Sequence, residues 1–135
     1  MPKQAIEASP LKAVGPYSLG VEAEGLVFVS GQIPLDPATG KLIAGDIKAQ
    51  TDQVFANLKT VLEAAGCDLS DIVKATVFLT DMRDFAAMNE TYAKHMPAPF
   101  PARSTIGVAA LPLGARIEIE VIAAAKPDDW PTRLT

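Results

Sequence analysis

The run PFPARSTIGVAALPLGARIEIEVIAAA, residues 99–125, decides the reading of this chain, because it sets Arg103, Glu118 and Glu120 into otherwise apolar strand-forming sequence. Two strands are expected, roughly 102–109 and 115–124, joined as a hairpin by the turn Leu111-Pro112-Leu113-Gly114. Strand alternation puts Arg103, Thr105 and Gly107 on one face of the first, and Glu118 and Glu120 on one face of the second. An unpaired charge in an apolar setting is costly, so Arg103 needs a carboxylate from the protein or from a ligand. The hairpin register is not fixed by the sequence, and two readings stand. One is a cross-strand ion pair for stability or an interface contact. The other is a guanidinium fork held open for a substrate carboxylate, with a glutamate near enough to handle a proton or a water. Arg116, close to the turn, reads as a solvated charge at a strand end.

Upstream of this run, strands and helices alternate. Residues 17–22 and 26–33 form a hairpin around Glu24 and Gly25, and the unbroken apolar run Leu26-Val27-Phe28-Val29 predicts a strand buried on both faces. Ser30-Gly31 ends that strand, where a glycine permits close approach of a neighbouring strand or a ligand. Ile47, Thr51, Val54, Phe55, Leu58, Val61, Leu62 and Ala65 recur at helical spacing, with Asp46 as N-cap and Gly66 as the stop. Ile72 to Thr80 reads as a strand with Val73, Ala75, Val77 and Leu79 on one face and Phe78 on the other. A second helix, from about Asp84 to His95, groups Phe85, Met88, Asn89 and Tyr92, and Pro97, Pro99 and Pro101 force an extended connection after it. The order β-β-α-β-α-β-β defines an α+β fold with two helices on one face of a sheet. Several strands are apolar on both faces, so the second face calls for the sheet to curl onto itself or for another copy of the chain.

With 135 residues, 49% hydrophobic and 21% charged, the chain is expected to be one globular domain spanning 1–135. The net charge of −4 disfavours a non-specific grip on nucleic acid. No apolar stretch reaches membrane-spanning length and the amino terminus lacks a signal-type apolar core, so a cytoplasmic location without membrane partners is the expectation. The single cysteine, Cys67, forms no disulfide within the chain and reads as a structural thiol. The single histidine, His95, rules out a His-rich metal site and reads as a helix-end residue. No glycine pattern of a phosphate-binding loop is present.

A set of short motifs runs along the chain: Gly15-Pro16-Tyr17-Ser18, Val29-Ser30-Gly31-Gln32-Ile33-Pro34, Asp71-Ile72-Val73-Lys74-Ala75-Thr76-Val77-Phe78-Leu79, Asp84-Phe85 and Asn89-Glu90-Thr91-Tyr92. Phe100-Pro101-Ala102-Arg103-Ser104 and Ile117-Glu118-Ile119-Glu120-Val121-Ile122-Ala123 complete it. In these motifs the chain resembles the reactive intermediate deaminase family, RidA, also called the YjgF family. The resemblance implies a chorismate-mutase-like fold with a trimeric barrel core, and a homotrimer with clefts at the subunit interfaces. The implied activity is hydrolysis of enamines or imines, such as 2-aminoacrylate and related 2-imino acids, to 2-oxo acids and ammonia, with no cofactor and no metal. Carried across residue by residue, it makes Arg103 the carboxylate anchor and Glu118 the residue that handles the attacking water. Main-chain groups of Gly31 and Thr105 would contact the substrate, Tyr17 would line or cover the cleft, and Ser30 and Asn89 would support its walls. Threonine stands at 105 where many deaminase members have cysteine, and the tail Lys126–Thr135, with Trp130, runs past the usual family end. Two other functions remain open at this level: binding of 2-oxo acids without turnover, as a metabolite-binding or chaperone-like trimer, and RNA cleavage, which the acidic balance and the single histidine disfavour.

Overall fold

The computed structural model of the chain describes residues 2–126, so the expectations for the tail beyond Lys126, Trp130 included, lie outside the described residues. Eight elements follow in order: β1 (Gln4–Ile6), β2 (Gly20–Ala23), β3 (Leu26–Gln32), α1 (Ile47–Ala64), β4 (Ile72–Leu79), α2 (Phe85–His95), β5 (Ala102–Gly107) and β6 (Ile117–Ala124). The strands form one mixed sheet in the order β1-β2-β3-β6-β4-β5, parallel only between β4 and β5. This is an α+β fold, with β1 as an edge strand that the sequence reading did not anticipate.

Local chemistry accounts for the element boundaries. Glu24 and Gly25 both take positive φ, 53° and 77°, which gives the β2–β3 turn the handedness of a tight hairpin. Asp46 accepts a hydrogen bond from the Ala49 N–H at 2.9 Å and caps α1, while Gly66, at φ 77°, follows its last turn. The apolar stripe Ile47, Val54, Phe55, Leu58, Val61 and Leu62 is buried against Val27, Val29, Ala75, Val77, Leu79, Ile117, Ile119 and Val121 of the sheet, in one core that also takes Met88 and Tyr92 of α2. Both helices therefore cover the same face. Cys67 lies 4% exposed in this core, and burial pushes its thiol up from its ordinary value.

The expected hairpin of the last two strands does not form. β6 instead lies between β3 and β4, antiparallel to both, and β5 is the outer strand beside β4. Burial explains the choice: Ile117, Ile119, Val121 and Ala123 are at most 2% exposed and need neighbours on either side, whereas no residue of β5 is fully buried. The Leu111-Pro112-Leu113-Gly114 turn does form, with the Gly114 N–H bonded to the Leu111 carbonyl, but the connection carries the chain past β4 rather than back onto β5. Two smaller expectations are also corrected. A register shift between Ile72 and Lys74 takes Val73 off the core face, and it is 48% exposed. Arg116 is no free surface charge: it donates to both oxygens of Asp84, at 2.9 and 3.0 Å, pinning the start of α2 to the entry of β6.

The face away from the helices carries Phe28 and Ile106, 41% and 43% exposed, with Phe78 and Ile122 half-buried beside them. In the single chain, then, Phe28 does not share the double burial expected for its strand. Beyond β3, the backbone is held by Asn57 of α1, which is 1% exposed and donates to the carbonyls of Ile33 and Leu35 at 3.3 and 2.9 Å. Replacing Asn57 by alanine strands both carbonyls, and we expect a loss of about 1–3 kcal/mol in unfolding free energy by urea titration, where an unchanged midpoint would contradict this clamp.

Candidate active site

Glu118 stands near the start of β6 and is paired with Phe78 of β4, which places it on the face opposite the helices. Its carboxylate lies on the backbone of β3. Between Val29 and Gln32 the β3–β6 register shifts, interrupting the ladder over Ser30 and Gly31. A methyl group built at Gly31 would fall 1.8 Å from Glu118 Oε2, so only a glycine there leaves room for the carboxylate in this position. Ser30 secures the neighbouring strand: its Oγ donates to the Ser18 carbonyl at 2.6 Å and its N–H to the Leu19 carbonyl at 2.9 Å. Tyr17, adjoining Ser18, is 48% exposed. Of the predicted residues, Ser30, Gly31 and Glu118 thus meet where β3 and β6 shift register, and Tyr17 precedes Ser18 in the chain. Burial, helped by the like charge of Glu120, raises the Glu118 pKa above its ordinary value of 4.5.

Arg103 belongs to a different surface. Its β5 position pairs with Ala75, whose side chain is in the core, so Arg103 points to the helix-covered face at the sheet edge. There the guanidinium carbon lies 4.6 Å from the centre of the Tyr92 ring and 5.8 Å from that of Phe85. Phe85, Asn89 and Tyr92 succeed one another along one side of α2, at the spacing that brings side chains onto a common face. Asn89, Tyr92, Ala93, Phe100, Pro101 and Arg103 line a cavity of about 300 Å³. Among the described residues Arg103 has no carboxylate in ion-pair contact. Two buried oxygens on this side of the sheet, Asn89 Oδ1 and Thr105 Oγ1, lack hydrogen-bond partners; the Tyr92 hydroxyl has none in full hydrogen-bond geometry, but the Arg103 guanidinium lies near it and opposes the rise that burial gives its pKa. Thr105 shares the Arg103 face, two residues further along β5. The sequence groups Tyr92 and Phe85 with Asn89 on one helix face but assigns neither a role at the site; their spacing from Asn89 was the available signal.

The strand order separates Arg103 from Glu118. Two strand spacings, about 10 Å, lie between β5 and β6, and the side chains project to opposite faces. A cross-strand ion pair between them within the chain is thereby excluded. His95 accords with its reading as a helix-end residue: it bonds Asp52 at 2.7 Å and stacks on Phe55 at 4.6 Å. Among the described residues no cluster of three His, Cys, Asp or Glu side chains could hold a metal ion, and no helix is long and apolar enough to cross a membrane.

A sequence profile described as "Endoribonuclease L-PSP" matches residues 7–125. The chain belongs to this family, the RidA/YjgF proteins. It is 53% identical over 111 residues to Reactive Intermediate Deaminase A, chloroplastic, of Arabidopsis thaliana, an alignment covering 82% of this chain and 59% of that protein. The 2-iminobutanoate/2-iminopropanoate deaminase of Capra hircus is 45% identical over 115 residues, 85% of this chain and 84% of its own. Among solved structures, E. coli TdcF with bound serine superimposes with a TM-score of 0.83 at 43% identity, over 91% of this chain and 99% of that one.

The upward shift at Glu118 has a consequence for stability. The folded chain holds the Glu118 proton more tightly than the unfolded chain does, so stability falls as pH rises from 4.5 through the shifted value and stays lower above it. We expect Glu118→Gln to melt higher than wild type at neutral pH, with the gap closing as pH falls to about 4. Thermal scans across this range check it, and a pH-independent gap would contradict the assigned shift.

Proposed function

We propose that the chain, a single domain over residues 1–135, hydrolyses reactive enamines and imines, 2-aminoacrylate and related 2-imino acids, to 2-oxo acids and ammonia. The observation that carries this reading is Arg103: a guanidinium beside a cavity, braced by two rings and paired with no carboxylate among the described residues. A 2-imino acid supplies the missing anion as its own carboxylate, matched by the planar fork of arginine. The names of the goat and Arabidopsis relatives support the same chemistry. The serine bound in TdcF joins a carboxylate to an adjacent amine, as this substrate class joins a carboxylate to an imine.

Arg103 anchors the carboxylate, with main-chain groups of Thr105 and Gly31 against the substrate, Tyr17 over the cleft, and Ser30 and Asn89 supporting its walls. Water adds to the carbon of the N-protonated imine as Glu118 takes one of its protons, giving a carbinolamine. Glu118 returns that proton to nitrogen; the C–N bond then breaks, its electron pair leaving with ammonia, and the hydroxyl passes its proton to the Glu118 carboxylate as the C=O bond forms. A carboxylate whose pKa is raised by burial suits both transfers, being a stronger base when ionised and easily protonated in turn. The imine carbon is already electrophilic, so holding water and substrate together supplies much of the acceleration. No cofactor takes part, and threonine at 105 changes the pocket wall while keeping the backbone groups that the site uses.

Since Arg103 and Glu118 face opposite sides of one sheet, a cleft containing both draws the Arg103 half from one copy and the Glu118 half from the next. A homotrimer closed around the face bearing Phe28 and Ile106 meets that requirement and covers this apolar surface. RNA cleavage, raised by the family description, finds less support: the net charge is −4 and the one histidine is engaged with Asp52.

An amino acid oxidase generating imino acids in place provides the test. Wild type should hasten imine decay with release of ammonia, and Arg103→Ala and Glu118→Ala should each lose about 100-fold or more in rate. Wild-type turnover in Glu118→Ala would overturn its role; binding of 2-oxo acids with no acceleration for any imine would make the protein a non-catalytic binder.

A further inference from the structure

We propose that Tyr92 is a positioning residue for the carboxylate anchor: its ring is the platform that fixes the Arg103 guanidinium, so that Tyr92 sets affinity for the acid group without entering the chemistry. This rests on the deaminase reading of the Arg103 cavity and names a part of it that the sequence motifs left as core.

Three observations carry the inference. First, Arg103 lacks the usual means of fixing an arginine. Among the described residues it has neither an ion pair nor a hydrogen bond to a carboxylate, and its aromatic neighbours are the Tyr92 ring at 4.6 Å and the Phe85 ring at 5.8 Å. An aromatic face attracts the cation through its quadrupole but leaves the N–H fork unspent, which a carboxylate neighbour would not. Secondly, the platform is itself immobilised. Tyr92 is 5% exposed and meets the edge of Phe55 on α1, with ring centres 5.6 Å apart and planes at 74°, and Phe55 is 1% exposed. Thirdly, the hydroxyl of Tyr92 is buried in the wall of the Arg103 cavity, with no partner in full hydrogen-bond geometry but near enough to the Arg103 guanidinium to interact with it. Packing alone would be served as well by phenylalanine, which carries no polar atom to strand. The hydroxyl thus adds a second, polar contact to the face-on contact of the ring, both directed at Arg103.

The test separates binding from turnover. Calorimetric titration with 2-oxobutanoate measures the anchor, and the oxidase-coupled assay gives KM and kcat for wild type, Tyr92→Phe, Tyr92→Leu and Arg103→Ala. We expect Tyr92→Leu to weaken 2-oxobutanoate binding and raise KM by about tenfold with kcat within about twofold. Tyr92→Phe, keeping the ring, should restore most of the lost affinity. In an Arg103→Ala background, Tyr92→Leu should have no further effect on binding, because the partner of the ring is gone. Equal affinity in Tyr92→Leu and wild type would overturn the proposal, as would a loss of affinity that persists undiminished without Arg103. Should Tyr92→Leu fail to fold, Phe85→Leu, which removes the second ring from a less buried position, decides the matter by the same criteria. A wild-type protein that binds no 2-oxo acid would sink the anchor reading and this inference together, whereas wild-type binding that neither ring substitution alters sinks this inference alone.

Discussion

The insertion of β6 between β3 and β4 is the constraint on which the rest of the molecule depends. It gives a strand with one fully buried face two neighbours, and by the same act lays Glu118 against Gly31 on the other face while leaving β5, with Arg103, at the edge. In the observed order each charge is left incomplete. Arg103 rests on aromatic rings, and Glu118 rests on a stretch of backbone where a register shift and a glycine make space.

Such incompleteness has an energetic side. A half-buried carboxylate beside another carboxylate, and buried oxygens such as Asn89 Oδ1 and Thr105 Oγ1 without partners, weaken the isolated chain relative to an apolar packing of the same space. Features of this kind gather where a protein's structure serves something other than its own stability. Here they gather around the two charges, with one further buried oxygen, Gln50 Oε1 on α1, lying apart from both. The Arg116–Asp84 pair is the contrast: two charges, both used, joined by two hydrogen bonds at the start of an element.

Much of the fold was legible along the chain. The stripe from Ile47 to Leu62, the cap at Asp46 and the stop at Gly66 are local signals, and α1 obeys all of them. The extents of β4, α2 and β6 likewise follow from their apolar periods. What could not be read was non-local: which strands are neighbours, the bulge that turns Val73 outward, the reach of Arg116 to Asp84, and the pairing of Gln4–Ile6 with β2. The site divides in the same way. Arg103 and Glu118 announced themselves as charges in apolar strands, and Gly31 as a glycine ending a buried strand. Their separation by the sheet was hidden because it depends on strand order. Tyr92 was hidden for another reason, since helical periodicity reads an inward aromatic as core whether or not a cation sits on its face.

A deaminase cleft built as proposed takes Arg103 from one copy of the chain and Glu118 from another. Co-expression of Arg103→Ala and Glu118→Ala chains in equal amounts, with isolation of the mixed oligomers, tests it most directly. In a ring where each cleft spans two chains, random mixing pairs an intact arginine with an intact glutamate in about a quarter of the clefts, so the mixture should recover about a quarter of wild-type deaminase activity from two inactive parents. If both residues served from the same chain, every cleft would lack one of them, and a mixture as inactive as its parents would contradict the account.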